Sequence, residues 1–212
     1  MRDGLYGLKM PSMEEFYPST CPFCTISTAY SPSPYSIPTS PNPEATDPQC
    51  HLLLSTSNVL AFLDILPIAP GHILLTTRTH YEKLSDLYTP GTPSAVAARD
   101  DARALGEWLP ILSCALRKVT GIEDWNIVQN NGERAAQVVP HVHFHLIPRY
   151  QEGRERGKGK VDERMLKSWK MFGRGAREEL DDEEGRVLAG ELREALRVLV
   201  GAQPVDEVKA KL

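Results

Sequence analysis

Between Pro140 and Ile147 the chain reads Pro-His-Val-His-Phe-His-Leu-Ile, imidazoles alternating with apolar side chains. Alternate side chains of a strand share one face, so His141, His143 and His145 predict a row of rings spaced roughly 6.5–7 Å apart. Val142, Phe144 and Leu146 form the opposite face and need a core to bury them. Packing has no use for a row of imidazoles, and burying one is costly, so the pattern points to chemistry.

Two chemistries fit the row. In one, His-x-His supplies ligands to a catalytic zinc, which also wants a carboxylate or further histidine and an open coordination position. In the other, one histidine attacks phosphorus as a neutral nucleophile while its neighbours donate hydrogen bonds to developing negative charge. Cys21-Pro22-Phe23-Cys24 has the spacing of a metal knuckle, but no second C-x-x-C is present, so two histidines would have to complete a tetrahedral site. A redox pair is the rival reading, although no apolar strand leads into the motif. Cys50 and Cys114 have no obvious partner and read as ordinary thiols.

The surrounding pattern is that of an α+β chain with a mainly antiparallel sheet. Val59–Ile65 and His72–Thr77 read as paired strands around a turn at Pro67–Gly71, and Trp125–Gln129 and His141–Ile147 as two more. Leu105, Trp108, Leu109, Leu112, Leu116 and Val119 recur at helical spacing within residues 93–119; Pro110 should kink or divide that helix, and Gly121 should end it. Residues 31–48, crowded with Pro, Ser and Thr, read as a mobile insertion loop. Residues 1–20 read as an extension, and 151–212 as a charged linker followed by an amphipathic helix carrying Leu188, Leu192, Leu196 and Leu199. In that linker, Gln151 to Arg177 holds nine Lys/Arg against four Asp/Glu. It is either a solvated loop or a polyphosphate contact, and Trp169–Gly173 is placed to dock near the site. His51 and His72 look incidental.

Charge and hydropathy exclude some classes. A formal net charge of −4 over 212 residues gives no support to broad nucleic-acid binding. No apolar run approaches the roughly 18–20 residues that span a bilayer, and the N-terminus lacks the apolar core of a secretory signal. A cytoplasmic or nuclear protein is expected.

The motifs together resemble the histidine-triad superfamily. His141 to Ile147 is similar to its His-φ-His-φ-His-φ-φ signature (φ apolar). Ala61-Phe62-Leu63-Asp64-Ile65 with Pro70-Gly71-His72 resembles its "AFLDI…PGH" segment, Arg78-Thr79-His80 its "K-x-H", and Gln129–Glu133 with Gln137 its substrate loop. The likeness runs from about Cys21 to Arg149 and is strongest to zinc-containing members near the purine-nucleoside phosphoramidase branch. It implies a five-stranded sheet with packed helices over residues 21–150, a C-terminal helical extension, and a homodimer. It also implies a structural zinc on Cys21, Cys24, His80 and His141, His143 as nucleophile, and His145 as its catalytic neighbour. A purine would sit on Ile26, Phe62 and Ile65, a ribose on Asp64, and phosphate oxygens near Asn130, Gln137, His143 and His145.

On this resemblance the chain hydrolyses a nucleoside 5′-phosphoryl compound through a nucleotidyl-histidine. Two positions depart from the phosphoramidase pattern: Val138 stands where a small hydroxyl residue is usual, and Ala136 where glycine is usual. The leaving group is therefore open between an amine, a polyphosphate and a sugar phosphate. A non-enzymatic nucleotide-binding scaffold and a hydrolase with catalytic zinc are the rival functions.

Overall fold

A computed structural model describes residues 21–33, 35–88, 94–150 and 179–201. The extension at 1–20 and the basic segment with Trp169–Gly173 lie outside the described residues. Five strands form one sheet: β1 (Leu52–Ser55), β2 (Val59–Leu63), β3 (Ile73–Thr77), β4 (Trp125–Gln129) and β5 (His143–Pro148). Their order is β1-β2-β3-β5-β4, and every neighbouring pair is antiparallel. β1 went unread in the sequence because it is only four residues long, too short a run beside the insertion to register as a strand.

Three helices cover the two faces: α1 (Pro22–Ala29), α2 (Ser94–Thr120) and α3 (Asp182–Val200). On one face, Leu53, Ala61, Leu63, Ile73, Leu75 and Leu146 pack with Leu105, Leu112 and Leu116 of α2 and Leu192 and Leu196 of α3. On the other, Leu52, Leu60, Phe62 and Leu74 meet Phe23 of α1 and Tyr30. The C-terminal helix thus completes the main core, where an appendage was expected. Pro110 neither divides nor ends α2, which runs unbroken for 27 residues. The carbonyl that loses its partner belongs to exposed Gly106, four residues back, where water can replace the bond while the opposite face holds the helix. Gly121 closes α2 at φ +68°, its N–H reaching the Arg117 carbonyl at 2.9 Å.

The proline-rich insertion is held in place. Ser33 N–H donates to Ser55 O and Ser55 N–H to Ser36 O, both at 2.8 Å, and Ile37 enters the main core. Proline removes donors but keeps acceptors, and the insertion's carbonyls are what its neighbours grip. The Tyr30 hydroxyl donates to Asn42 O at 2.7 Å, and Arg197 of α3 donates to Pro38 O at 3.1 Å.

His51, read as incidental, seats α3. Its ring is 3% exposed and lies against the helix backbone at Gly185, with Nε2 3.7 Å from Asp182. A Cβ added at Gly185 would fall 2.5 Å from Nε2 and 2.7 Å from Cδ2 of that ring. Gly185→Ala should therefore destabilise the protein, because overpacking costs about 1–3 kcal/mol, more than the ~1 kcal/mol alanine gains in a helix. Gly190→Ala, whose nearest neighbour is Arg193 Nη2 at 3.9 Å, should instead stabilise it by about 0.5–1 kcal/mol. Urea unfolding of the two variants checks this; a gain in both would show that His51 does not fix the helix.

Candidate active site

Strand register builds the floor of the site. Phe62 pairs with Leu74, Leu74 with His145, and His145 with Val128, so one row crosses four strands. These four residues share a face, and all four line a cavity of about 790 Å³. α1 supplies Phe23 and Ile26 to its wall, the β2–β3 connection supplies Asp64 and Ile65, and the loop after β4 supplies Asn130, Ala136 and Val138. His143 lies one row over, opposite Thr76, and also opens onto the cavity.

The expected row of three rings is broken at its first member. His141 precedes β5, and its ring turns away because Nε2 donates to the Thr77 carbonyl at 2.9 Å while Nδ1 faces the thiols of Cys21 and Cys24. The His143 and His145 rings remain adjacent, their centroids 4.8 Å apart. Val142 and Leu146 are fully buried on the opposite face, as the alternation requires.

His143 is 4% exposed, and burial pushes its imidazole below the usual value, favouring the neutral ring. Its Nδ1 donates to the His141 carbonyl at 2.6 Å. That bond fixes the tautomer and leaves the Nε2 lone pair unprotonated, which is the form a nucleophile needs. Phe23 stands edge-on at 5.1 Å between centroids and shields the ring from solvent. Its role was not read from the sequence, because Phe23 sits inside the cysteine motif.

His72, also read as incidental, is 1% exposed and joins Asp64 to His145. Its Nδ1 lies 3.2 Å from an Asp64 carboxylate oxygen, and its Nε2 lies 3.0 Å from His145 Nδ1. A proton on His72 Nε2 makes His145 Nδ1 an acceptor and places the His145 proton on Nε2. The Ile68 N–H donates to His72 Nδ1 at 3.2 Å, which leaves that nitrogen unprotonated and selects this arrangement. Asp64 and His72 are therefore positioned to set what His145 offers to a ligand. Asp64 also accepts from Leu66 N–H at 2.9 Å, a turn bond in keeping with its place at the strand end.

Cys21, Cys24, His80 and His141 converge, one ligand atom of each lying within 4.8 Å of all the others. This group can hold a metal ion. Burial, with His80 close by, lowers the His141 imidazole to about 4, and burial beside Cys21 raises the Cys24 thiol to about 11. The donor set therefore offers a neutral imidazole, and a bound cation would favour its thiolates.

Two loop residues divide differently than expected. Asn130 lines the cavity. Gln137, expected at the phosphate, is 2% exposed, and its amide is committed to the loop: Oε1 accepts from Gly132 N–H at 2.5 Å and Nε2 donates to the Glu82 carbonyl at 2.6 Å. The chain reverses at Ala136 with φ +63°, which turns Gln137 inward and leaves Val138 77% exposed at the cavity rim.

The HIT domain family model matches residues 45–152, and the chain belongs to that family. It is 38% identical over 106 residues to an adenosine 5′-monophosphoramidase of Schizosaccharomyces pombe, a match spanning 50% of this chain and 69% of that protein. It is 38% identical over 100 residues to an adenylylsulfatase of Arabidopsis thaliana, covering 47% of this chain and 46% of the relative. A Zn-bound histidine triad family protein from Mycobacterium smegmatis shares the fold at a TM-score of 0.55 and 23% identity, over 87% of this chain and 98% of that one.

The loop assignment is open to a direct check. Gln137→Ala leaves buried partners unsatisfied and should cost about 1–3 kcal/mol in urea unfolding. Asn130→Ala, whose longer bond to Ala136 O measures 3.4 Å, should cost under ~1 kcal/mol. Equal costs would contradict the division.

Proposed function

We propose that the protein hydrolyses nucleoside 5′-phosphoryl compounds at the α-phosphorus through a nucleotidyl-histidine formed on His143. The observation that carries this reading is the His143 tautomer: Nδ1 is tied to a backbone carbonyl and Nε2 opens on a cavity large enough for a mononucleotide. The relatives named as an adenosine 5′-monophosphoramidase and an adenylylsulfatase support the same reaction class.

In this mechanism the base packs against Ile26, Phe62 and Ile65, and the ribose hydroxyls donate to Asp64. The His143 Nε2 lone pair attacks phosphorus in line. An N–P bond forms, the bond to the leaving group breaks, and the departing amine or polyphosphate takes the electron pair. His145, with its Nε2 proton set through His72, and Asn130 donate to the equatorial oxygens, so catalysis is positioning plus electrostatic stabilisation. Water then cleaves the N–P bond and releases the nucleoside monophosphate. Val138 supplies no hydroxyl at the leaving-group end, which favours a leaving group that departs without a proton, as a polyphosphate anion does, over an amine that must be protonated to leave.

The cysteine–histidine group is proposed to hold a structural zinc. Tetrahedral zinc bonds of ~2.3 Å to sulfur and ~2.0–2.1 Å to nitrogen place unlike donors about 3.5 Å apart. Cys21 Sγ lies 3.3 Å from His141 Nδ1, and Cys24 Sγ lies 3.4 Å from His80 Nδ1 and 3.7 Å from His141 Nδ1. Four protein ligands leave no open position, so the metal would tie α1 to the active-site strand and take no part in chemistry. A homodimer joined along the edge strand β4, which exposes Ile127, is the proposed assembly.

Adenosine 5′-phosphoramidate, diadenosine tri- and tetraphosphates and a nucleotidyl sugar, assayed with metal analysis, test the proposal. His143→Ala should lose at least ~10³-fold in kcat while retaining zinc, since the nucleophile's loss leaves only binding and electrostatics. Cys24→Ser should lose zinc and stability together. Undiminished turnover by His143→Ala would end the histidine-nucleophile reading.

A further inference from the structure

The proline-rich insertion forms a wall of the nucleotide cavity that the proposed mechanism leaves unused. Thr46, Asp47, Pro48 and Gln49 line the cavity alongside Ile26 and Phe62, the two residues assigned to the base. The phosphate end, marked by His143, His145 and Asn130, is built from other elements. Cys50, at the end of the insertion, packs in one cluster with Phe62 and Ile26, which sets the insertion beside the base.

This wall is rigid. Cys50 N–H donates to Pro43 O at 3.0 Å, closing the insertion into a loop, and Glu44 N–H donates to the Asn42 side chain at 3.2 Å. The Tyr30 hydroxyl is held protonated by burial, which raises it to about 12, and it anchors the same loop at Asn42 O. Thr46 spends its hydroxyl on the Pro48 carbonyl at 2.9 Å. The Asp47 carboxylate and the Gln49 amide, in contrast, make no hydrogen bond among the described residues. A preorganised turn that carries two uncommitted polar groups beside an apolar sandwich is the composition of a specificity element.

We infer that Asp47 and Gln49 read the edge of the base and select adenine, a reading that rests on the nucleotide-hydrolase function proposed above. An ionised carboxylate only accepts, so it rewards the exocyclic amine of adenine and opposes the carbonyl oxygen that hypoxanthine carries at the same position. A primary amide both donates and accepts, so Gln49 can meet either base edge by turning its amide, and the choice between them rests on Asp47. Asp47 is exposed, so the discrimination is modest; Gln49 is half-buried.

The test compares adenosine and inosine 5′-phosphoramidates, which differ only at that edge, in the wild type, Asp47→Asn and Gln49→Ala. The wild type should favour adenosine about three- to ten-fold in kcat/KM, as expected for one charge-assisted hydrogen bond partly in water. Asp47→Asn can donate to the inosine carbonyl, so the preference should vanish or reverse, with the change carried mainly by KM. Gln49→Ala should raise KM for both substrates and leave the ratio near its wild-type value. A merely structural role for Asp47 would likewise depress both substrates alike in Asp47→Asn. Equal wild-type values, or a parallel loss in Asp47→Asn, would overturn the inference. Should the wild type turn over neither substrate, calorimetry with AMP and IMP decides the same point, since tighter AMP binding that Asp47→Asn abolishes supports base reading without hydrolysis.

Discussion

The antiparallel pairing of β3 with β5 is the constraint on which the site depends. It sets Leu74 opposite His145 and Thr76 opposite His143, and this register decides which face of β5 meets the cavity. A slip of one residue would bury the imidazoles under α2 and expose Phe144 and Leu146. The register is itself enforced by burial, because Val142 and Leu146 are fully enclosed. The same pairing places the His141 carbonyl, just before the strand, where His143 Nδ1 can reach it. Fold and tautomer thus share a cause.

From this frame the labour of the histidines separates. His141 is taken out of the row by Thr77 and the two thiols, His143 is buried with one nitrogen committed, and His145 is wired through His72 to Asp64. Each ring has a different partner, so chemically identical side chains are fixed in different orientations, with the proton of His143 on Nδ1 and that of His141 on Nε2. That differentiation costs no charge, in keeping with phosphoryl transfer by a neutral nucleophile among oriented donors.

Much of this was legible in the sequence, and the failures have physical reasons. Period-two alternation identified β5 and its core face, and the helical spacing of Leu105, Leu112 and Leu116 identified α2. β1 was missed because its four residues are too short a run, directly after the insertion, to stand out as a strand. Pro110 was overread, since a proline on a solvent face breaks one bond without breaking the packing opposite. His51 and His72 looked incidental because their partners, Gly185 and His145, are distant in sequence. Gln137 carries a polar side chain suited to phosphate, and only the left-handed turn at Ala136 shows that it points into the loop. Composition registers the donors that the insertion's prolines remove but not the carbonyl acceptors that Tyr30 and Arg197 find.

The central claim is that hydrolysis proceeds by two displacements at phosphorus, with His143 as the first nucleophile. The stereochemistry of the reaction addresses it most directly. A substrate with a chiral α-phosphorothioate, turned over in ¹⁸O-water, gives a product whose configuration counts the in-line steps. Two displacements predict net retention at phosphorus. Net inversion would mean that water attacks directly, and would contradict the account.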